Sequence, residues 1–351
     1  MGTAVKEMRT QVSQAPEITE DEAAGLFMLD LAMGYTYQVA LRIAAGLSIA
    51  DHLVERPKTA RELAEATGTD PIRLHRVLRL LATRGVFSEI EGSRFTLTPA
   101  AEYLRTDAPY SLRSAVLMIT DETLWRPAGE LIESVKGGSA FKHIYGMSFW
   151  EHWDKPDAPI EDFHVGMSSM SEVENLFLPR NYDFPEGATV ADIAGGFGGL
   201  LLRVLQANPT LHGILFDRPH VLARHRLGEL EADDRWELAE GDFFEAVPSA
   251  DIYILKYITH DWPDDKAATI LSCCRKAMNP GGRVLIMDTV IPAGNVPHTG
   301  KVMDLLCMGI YDGGRERTEE EFHQLLEHTG LKINRIIDTG SYISIIEAVA
   351  A

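Results

Sequence analysis

Asp192-Ile193-Ala194-Gly195-Gly196-Phe197-Gly198-Gly199 follows a short apolar run from Thr189 and opens a helical one over 198–207. Glycines at such a junction let the backbone approach a ligand closely, and a helix start offers N–H groups with no partner inside the helix. A dinucleotide fingerprint is one reading, but its third glycine would fall on Leu201. From here on strand and helix signals alternate. Strands are expected at 189–194, 211–217, 236–241, 250–258, 282–291, 331–338 and 342–349, and helices at 198–207, 219–227, 264–278, 299–310 and 318–328. Most of these strands are short apolar runs closed by polar residues, as in a parallel sheet buried on both faces. The last two are separated only by Thr339-Gly340-Ser341, too short for a crossover helix, so they must pair antiparallel. The expected fold is α/β, a seven-stranded, doubly wound, Rossmann-like sheet over 188–351.

Upstream the signals are helical. Residues 1 to about 20 are polar and expected to be frayed. Leu26, Leu29, Ala32, Met33, Val39, Ile43 and Leu47 then recur at helical spacing. Thr59 with Glu62 forms a capping box for a helix that ends near Gly68. Asp70-Pro71 opens a second helix reaching Arg84, with Leu74, Val77, Leu78 and Leu81 on its apolar face. Beyond Gly85, the runs 86–90 and 94–97 read as a hairpin around Glu91-Gly92-Ser93. Helix, turn, helix, hairpin is a winged-helix arrangement, and 1–108 is expected to form one domain. The second, 109–351, begins with a helical segment, 109–187, that is rich in large apolar residues such as Trp125, Phe149, Trp150, Trp153 and Phe163. Lining for a pocket and plain core both explain such a stretch.

The chain has 351 residues, enough for two domains, with 45% hydrophobic and 24% charged residues. Asp and Glu total 52 against 33 Lys and Arg, a formal charge of -19 that repels nucleic acid and anionic membranes. No signal-like or membrane-spanning apolar run is visible, so a soluble, cytoplasmic protein is expected. The cysteines, Cys273, Cys274 and Cys307, suggest neither a disulfide framework nor a metal site.

The frame Asp192-x-Ala194-x-Gly196-x-Gly198 resembles the first motif of methyltransferases that use S-adenosylmethionine, with Ala194 in place of that motif's first glycine. The physics suits such a ligand, which has no phosphate but carries an ammonium, a carboxylate, a sulfonium, a ribose and an adenine. The backbone at Gly195, Gly196 and Gly198 can meet the amino-acid end, and Asp192 suits its cationic groups. Asp217 closes the next strand, where a carboxylate can accept two hydrogen bonds from a ribose diol. Asp242 closes the one after, placed to accept from an adenine amino group with Phe243 stacked on the ring. Each acid alone reads equally well as a helix cap. Three of them at successive strand ends, on the edge where ligands bind in such sheets, point to a nucleoside ligand.

The fourth strand runs into Lys256-Tyr257-Ile258-Thr259-His260-Asp261-Trp262. With Asp217-Arg218-Pro219-His220-Val221, Gly241-Asp242-Phe243-Phe244 and Gly313-Gly314-Arg315-Glu316-Arg317-Thr318-Glu319, it resembles the small-molecule O-methyltransferases of the plant caffeate type. The similarity is closer to their bacterial relatives acting on aromatic natural products such as polyketides and phenazines, and it covers about residues 25 to 350. The resemblance implies a dimerisation domain at the amino terminus, hence a homodimer, and a hydroxylated aromatic acceptor. It implies His260 as general base, oriented by acids at Asp288 and Glu316, the former usually Glu in the family. Imidazole can take a phenolic proton near neutral pH because its own pKa lies close. No metal is required. Lys256 and Trp262 fall where the family flanks the adenine, and Ser171 where it meets the cofactor's amino-acid end. Met167, Met170, Asp304 and Met308 are candidates for the acceptor pocket, though an apolar helix face explains the methionines equally well. Asp261 is expected to point away from His260.

Two other readings stay open. A winged-helix regulator would use the basic residues Arg73, His75, Arg76, Arg79 and Arg84 of the second helix on DNA. Some relatives bind S-adenosylmethionine yet catalyse hydroxylation or decarboxylation.

Overall fold

A computed structural model describes residues 18–153, 155 and 160–351. The expectation of a frayed start falls mostly on residues 1–17, outside the described residues.

Local signals set the amino-terminal elements. Thr59 and Glu62 cap the helix Ala60–Thr67 reciprocally, and Gly68 ends it at φ 66° in the left-handed region. Asp70 accepts from the Arg73 N–H at 2.8 Å and starts the helix Pro71–Ala82. A three-stranded antiparallel sheet follows, β1 (Lys58–Thr59), β2 (Phe87–Ile90) and β3 (Arg94–Leu97), in the order β1-β3-β2. Leu63, Leu74, Leu78, Leu81, Phe87 and Phe95 close one buried core between these elements. The long helical stretch expected after residue 20 is broken in two, Glu20–Ala32 and Tyr35–Gly46. No residue of the first is buried, although it carries Leu26, Phe27, Met28, Leu29 and Leu31.

The second sheet has seven strands: β4 (Thr189–Ile193), β5 (His212–Asp217), β6 (Trp236–Glu240), β7 (Ala250–Lys256), β8 (Met278–Asp288), β9 (Leu331–Asp338) and β10 (Ser344–Ala350). Their order is β6-β5-β4-β7-β8-β10-β9, with β10 antiparallel to both of its neighbours. Both faces are buried. Ile252 and Ile254 pack on one side with Leu201, Leu205 and Met287, while Tyr253 and Leu255 pack on the other with Ile270, Leu271 and Phe322. This is why the strands read as continuous apolar runs.

Several boundaries differ from the sequence expectation, and three of them stand out. The helix expected over 219–227 stops at Leu222. β7 ends at Lys256 because Tyr257 turns the chain at φ 56°. β8 ends at Asp288, beyond which Val290 only bridges to Arg317. The last two breaks fall at the carboxyl edge of the sheet, where the backbone leaves the ladder to build a site.

Candidate active site

A cavity of about 280 Å³ opens at the carboxyl ends of β4, β5 and β7. Its lining includes Ser171, Asn175, Asp192, Gly195, Gly196 and Lys256. Asp217, Asp242, Phe243 and Trp262 line it too. Trp150, Phe163, Met167, His260 and Tyr311 also face it.

The glycine loop is shaped by what surrounds it. Ala194 follows β4 at φ 53°, so the residue in the glycine slot still takes the glycine conformation. A side chain on Gly195 would stand 2.6 Å from the Asp192 carboxyl. Gly198, at φ 77°, starts the helix Gly199–Ala207, and a Cβ there would press on Leu215 at 2.9 Å. Gly198 therefore serves packing and does not line the cavity. The Gly196 N–H donates to Asp217 Oδ2 at 2.9 Å, and the Arg218 N–H to Oδ1 at 2.7 Å. Asp217 thus ties the loop to β5 and still has a free lone pair on each oxygen.

Asp192 is buried, and its Oδ2 has no hydrogen-bond partner. Burial pushes its pKa up to about 7, against the opposing pull of Lys256. The Lys256 ammonium lies 3.0 Å from Glu174 Oε2 and 3.1 Å from Asn175 Oδ1. Lys256 therefore pairs with Glu174, which the helix Ile160–Glu174 carries to it, and with Asn175, and its charge acts on Asp192. Asp242 accepts from the Phe244 N–H at 2.8 Å, and the Phe243 and Trp262 rings stand 6.2 Å apart at 77°.

His260 lies in the tight turn Thr259–Asp261 after β7 and is 5% exposed. Its ring stacks on Tyr257 at 5.2 Å. Its Nδ1 is 2.8 Å from Glu316 Oε1 and its Nε2 is 3.2 Å from Asp261 Oδ1. Burial pulls the imidazole pKa down, but the Cys307 sulfur and the bonds to Asp261 and Glu316 outweigh it and raise it well above the usual value. The turn is held from outside. The fully buried Arg317 donates to Thr259 O at 2.8 Å, Trp262 O at 3.0 Å and Asp264 Oδ1 at 2.8 Å. Gly314 passes so close that a Cβ would meet His260 O at 2.6 Å. The Gly-Gly-Arg-Glu-Arg stretch is thus a clamp on the turn as well as the source of Glu316.

Several expected residues sit elsewhere. Asp288 does not reach His260. It accepts from the Thr259 hydroxyl instead, because Thr259, one residue before His260, takes up its Oδ2. Asp261, expected to point away, faces Nε2, because a single tight turn does not fan neighbours apart as a longer helix does. Asp304 accepts from the Glu316 N–H at 3.0 Å, so it positions Glu316 and does not line the cavity. Met170 packs toward the sheet core, and Met308 lies outside the lining because its helix turns Cys307 inward instead. Of the four, only Met167 lines the cavity. Sequence reading missed Asn175 and Tyr311 and left Trp150 between pocket lining and core. An aromatic-rich stretch before the glycine loop was the available signal for Trp150, while Asn175 and Tyr311 carried none.

The O-methyltransferase domain family matches residues 125–332, and the O-methyltransferase dimerisation domain matches 29–107. The chain belongs to the O-methyltransferase family. It is 37% identical over 340 residues to the phenazine O-methyltransferase PhzM of Lysobacter antibioticus, covering 94% of this chain and 99% of that one. The structure of CalO1, a methyltransferase of calicheamicin biosynthesis solved with S-adenosylhomocysteine, superposes with a TM-score of 0.87. Its identity is 43%, over 95% of this chain and all of that one. NcsB1, an O-methyltransferase of neocarzinostatin biosynthesis solved with S-adenosylmethionine and 2-hydroxy-5-methyl naphthoic acid, gives a TM-score of 0.72 at 31% identity. That match covers 90% of this chain and 96% of the other. The members of the family seen here draw on S-adenosylmethionine and not on a dinucleotide, so neither the dinucleotide reading of the glycine loop nor the regulator reading of the amino-terminal unit finds support. Two of the basic residues invoked for DNA are engaged within that unit: His75 pairs with Glu89 at 3.1 Å and Arg84 lies over the Tyr37 ring.

Proposed function

We propose that the protein transfers the methyl group of S-adenosylmethionine to a hydroxyl of a small aromatic natural product, with His260 as general base. The carrying observation is that His260, backed by Glu316, shares one cavity with Asp192 and Asp217. The residues fit the cofactor. Asp192 has an orphaned buried oxygen that a cation would satisfy. At Gly196 nothing lies within 4 Å of where a side chain would begin, and Asp217 keeps lone pairs for a diol. Ser171, Asn175 and Lys256 suit the amino-acid end, and Asp242, Phe243 and Trp262 the adenine.

When bound, S-adenosylmethionine supplies an electrophilic methyl carbon on a sulfonium. In its unprotonated form, with its Nδ1–H donated to Glu316, His260 presents the Nε2 lone pair and takes the acceptor's hydroxyl proton. Asp261, which also faces Tyr311, stands beside Nε2 and must yield that place to the acceptor's hydroxyl. Trp150, Phe163, Met167 and Tyr311 give a flat acceptor an apolar wall and keep water out. Positioning supplies much of the rate.

The working unit is a homodimer. The unburied apolar helix Glu20–Ala32 needs a cover, and the match to the dimerisation domain favours a second copy. Residues 1–108 would form that unit and 109–351 the catalytic one. None of the described helices is long and apolar enough to cross a membrane, and all three cysteines are free, which suits work in the cytoplasm. The test is mass spectrometry of reactions with methyl-labelled S-adenosylmethionine and a panel of phenols, quinones and phenazines. A labelled O-methyl product is expected. Products that gain oxygen or lose carbon dioxide without the label would overturn the reading.

A further inference from the structure

His260 has more around it than a base needs. Cys307 Sγ lies 3.8 Å from Nδ1, the nitrogen already 2.8 Å from Glu316 Oε1. Donor atoms of His260, Cys307 and Glu316 all fall within 4.8 Å of one another, and the three side chains are buried. Glu316 Oε2 has no hydrogen-bond partner. We propose that this trio is a binding site for a thiophilic divalent cation, Zn²⁺ foremost, and that filling it switches the base off.

The donor set is right for such an ion. Imidazole, thiolate and carboxylate are the ligand types that zinc takes, with a water to complete four. Bonds of about 2.0 Å to nitrogen and oxygen and about 2.3 Å to sulfur hold tetrahedral donor atoms roughly 3.3 to 3.6 Å apart. The Nδ1–Sγ pair is within a few tenths of an ångström of that spacing. The Nδ1–Oε1 pair must open slightly, and the unpartnered Oε2 gives Glu316 a second way to ligate. The outer contact is also in place. A metal-bound imidazole donates its other N–H to a carboxylate, and Asp261 already stands 3.2 Å from Nε2. A thiol that ligates a metal gives up its proton, so binding at Cys307 releases one to solvent.

The consequence for chemistry is a matter of tautomers. Neutral imidazole carries one proton. With Nδ1 on the metal, that proton sits on Nε2 facing Asp261, and no lone pair remains for the acceptor's hydroxyl. The sequence hid the site because Cys307 is 47 residues and Glu316 56 residues from His260.

Metal binding stands on geometry alone, whereas the switch rests on His260 being the base, so the two are read separately. The full chain is titrated with Co²⁺ alone, following thiolate-to-cobalt absorption, and methyl transfer is then assayed under buffered free Zn²⁺. The wild type should show the thiolate band and lose activity about tenfold or more, with recovery on chelation. Cys307→Ser and Cys307→Ala should both lose the band and need roughly tenfold more Zn²⁺ for half-inhibition, each against its own zinc-free rate. Cys273→Ser should keep both responses. No band in the wild type, or unchanged zinc sensitivity in both Cys307 variants, overturns the proposal. A full band with full activity leaves the metal site standing and removes His260 from the role of base.

Discussion

Glu316 Oε1 lies 2.8 Å from Nδ1 of His260, a carboxylate set against the base on the side away from the cavity. The pair decides which nitrogen keeps the proton and how tightly the ring holds a second one. Glu316→Gln should therefore lower the His260 pKa. The base form is the unprotonated one, so the acid limb of kcat/KM moves to lower pH while kcat falls by about tenfold or more. A pH–rate profile of both proteins checks the direction, and a limb that stays in place refutes the coupling.

His260→Ala should cut kcat by roughly 100-fold or more while leaving cofactor affinity near normal. Single-turnover rates with calorimetry separate the two. Full activity in this variant would mean that proximity alone drives the transfer.

Asp217→Ala should weaken cofactor binding more than tenfold, since two or more hydrogen bonds, each worth about 1 kcal/mol net, are lost along with the tie to Gly196. Unchanged affinity by calorimetry would remove the ribose assignment.

Asp192 links stability to binding. Its folded pKa, raised from 3.8 to about 7, means that the fold favours the protonated acid. Stability from this group is present in full below the unfolded value and is lost as pH rises toward 7, by up to about 4 kcal/mol. Asp192→Asn carries no charge to bury. Its cofactor-free melting temperature should exceed the wild type's above neutrality, the gap closing in acid, while cofactor affinity drops.

Glu347 works in the opposite direction. It is buried in β10 and accepts from Tyr182 at 2.7 Å, Arg335 at 3.1 Å and Arg283 at 3.2 Å. Burial alone would raise its pKa, but Tyr182, Asn334 and Arg335 hold it down to about 2. Its contribution is therefore present above 4.5 and lost as pH falls toward 2. Glu347→Ala should cost roughly 3 kcal/mol at neutral pH, read from urea unfolding, and less in acid.

Much of this was legible because the signals were local. The capping box at Thr59, the stop at Gly68 and the alternating runs of the large sheet each follow from residues within a turn or a strand of one another. Asp192 and Asp217 were legible for the same reason, as each stands near a strand end at the edge where ligands bind, while His260 was legible through the resemblance of its flanking motif to that of the family. What could not be read was which way a side chain leaves its element. One residue along a helix separates Cys307, turned toward His260, from Met308, turned aside. Asp288 gives its carboxylate to Thr259, the residue before His260. Asn175 and Tyr311 join the cavity through contacts between elements far apart in sequence, which no spacing encodes.

β9 touches the sheet only through β10. The order in which the strands are synthesised is therefore not the order in which they can be assembled. A ribosome releasing this chain presents β9 with no edge to join until β10 has emerged and slotted beside β8. A nick or deletion within Ser344–Ala350 would unseat two strands and leave Arg283, Arg335 and Tyr182 without the carboxylate that gathers them. β10 is thus the keystone of that flank, and its loss would dismantle the fold from within the sheet and not from its rim.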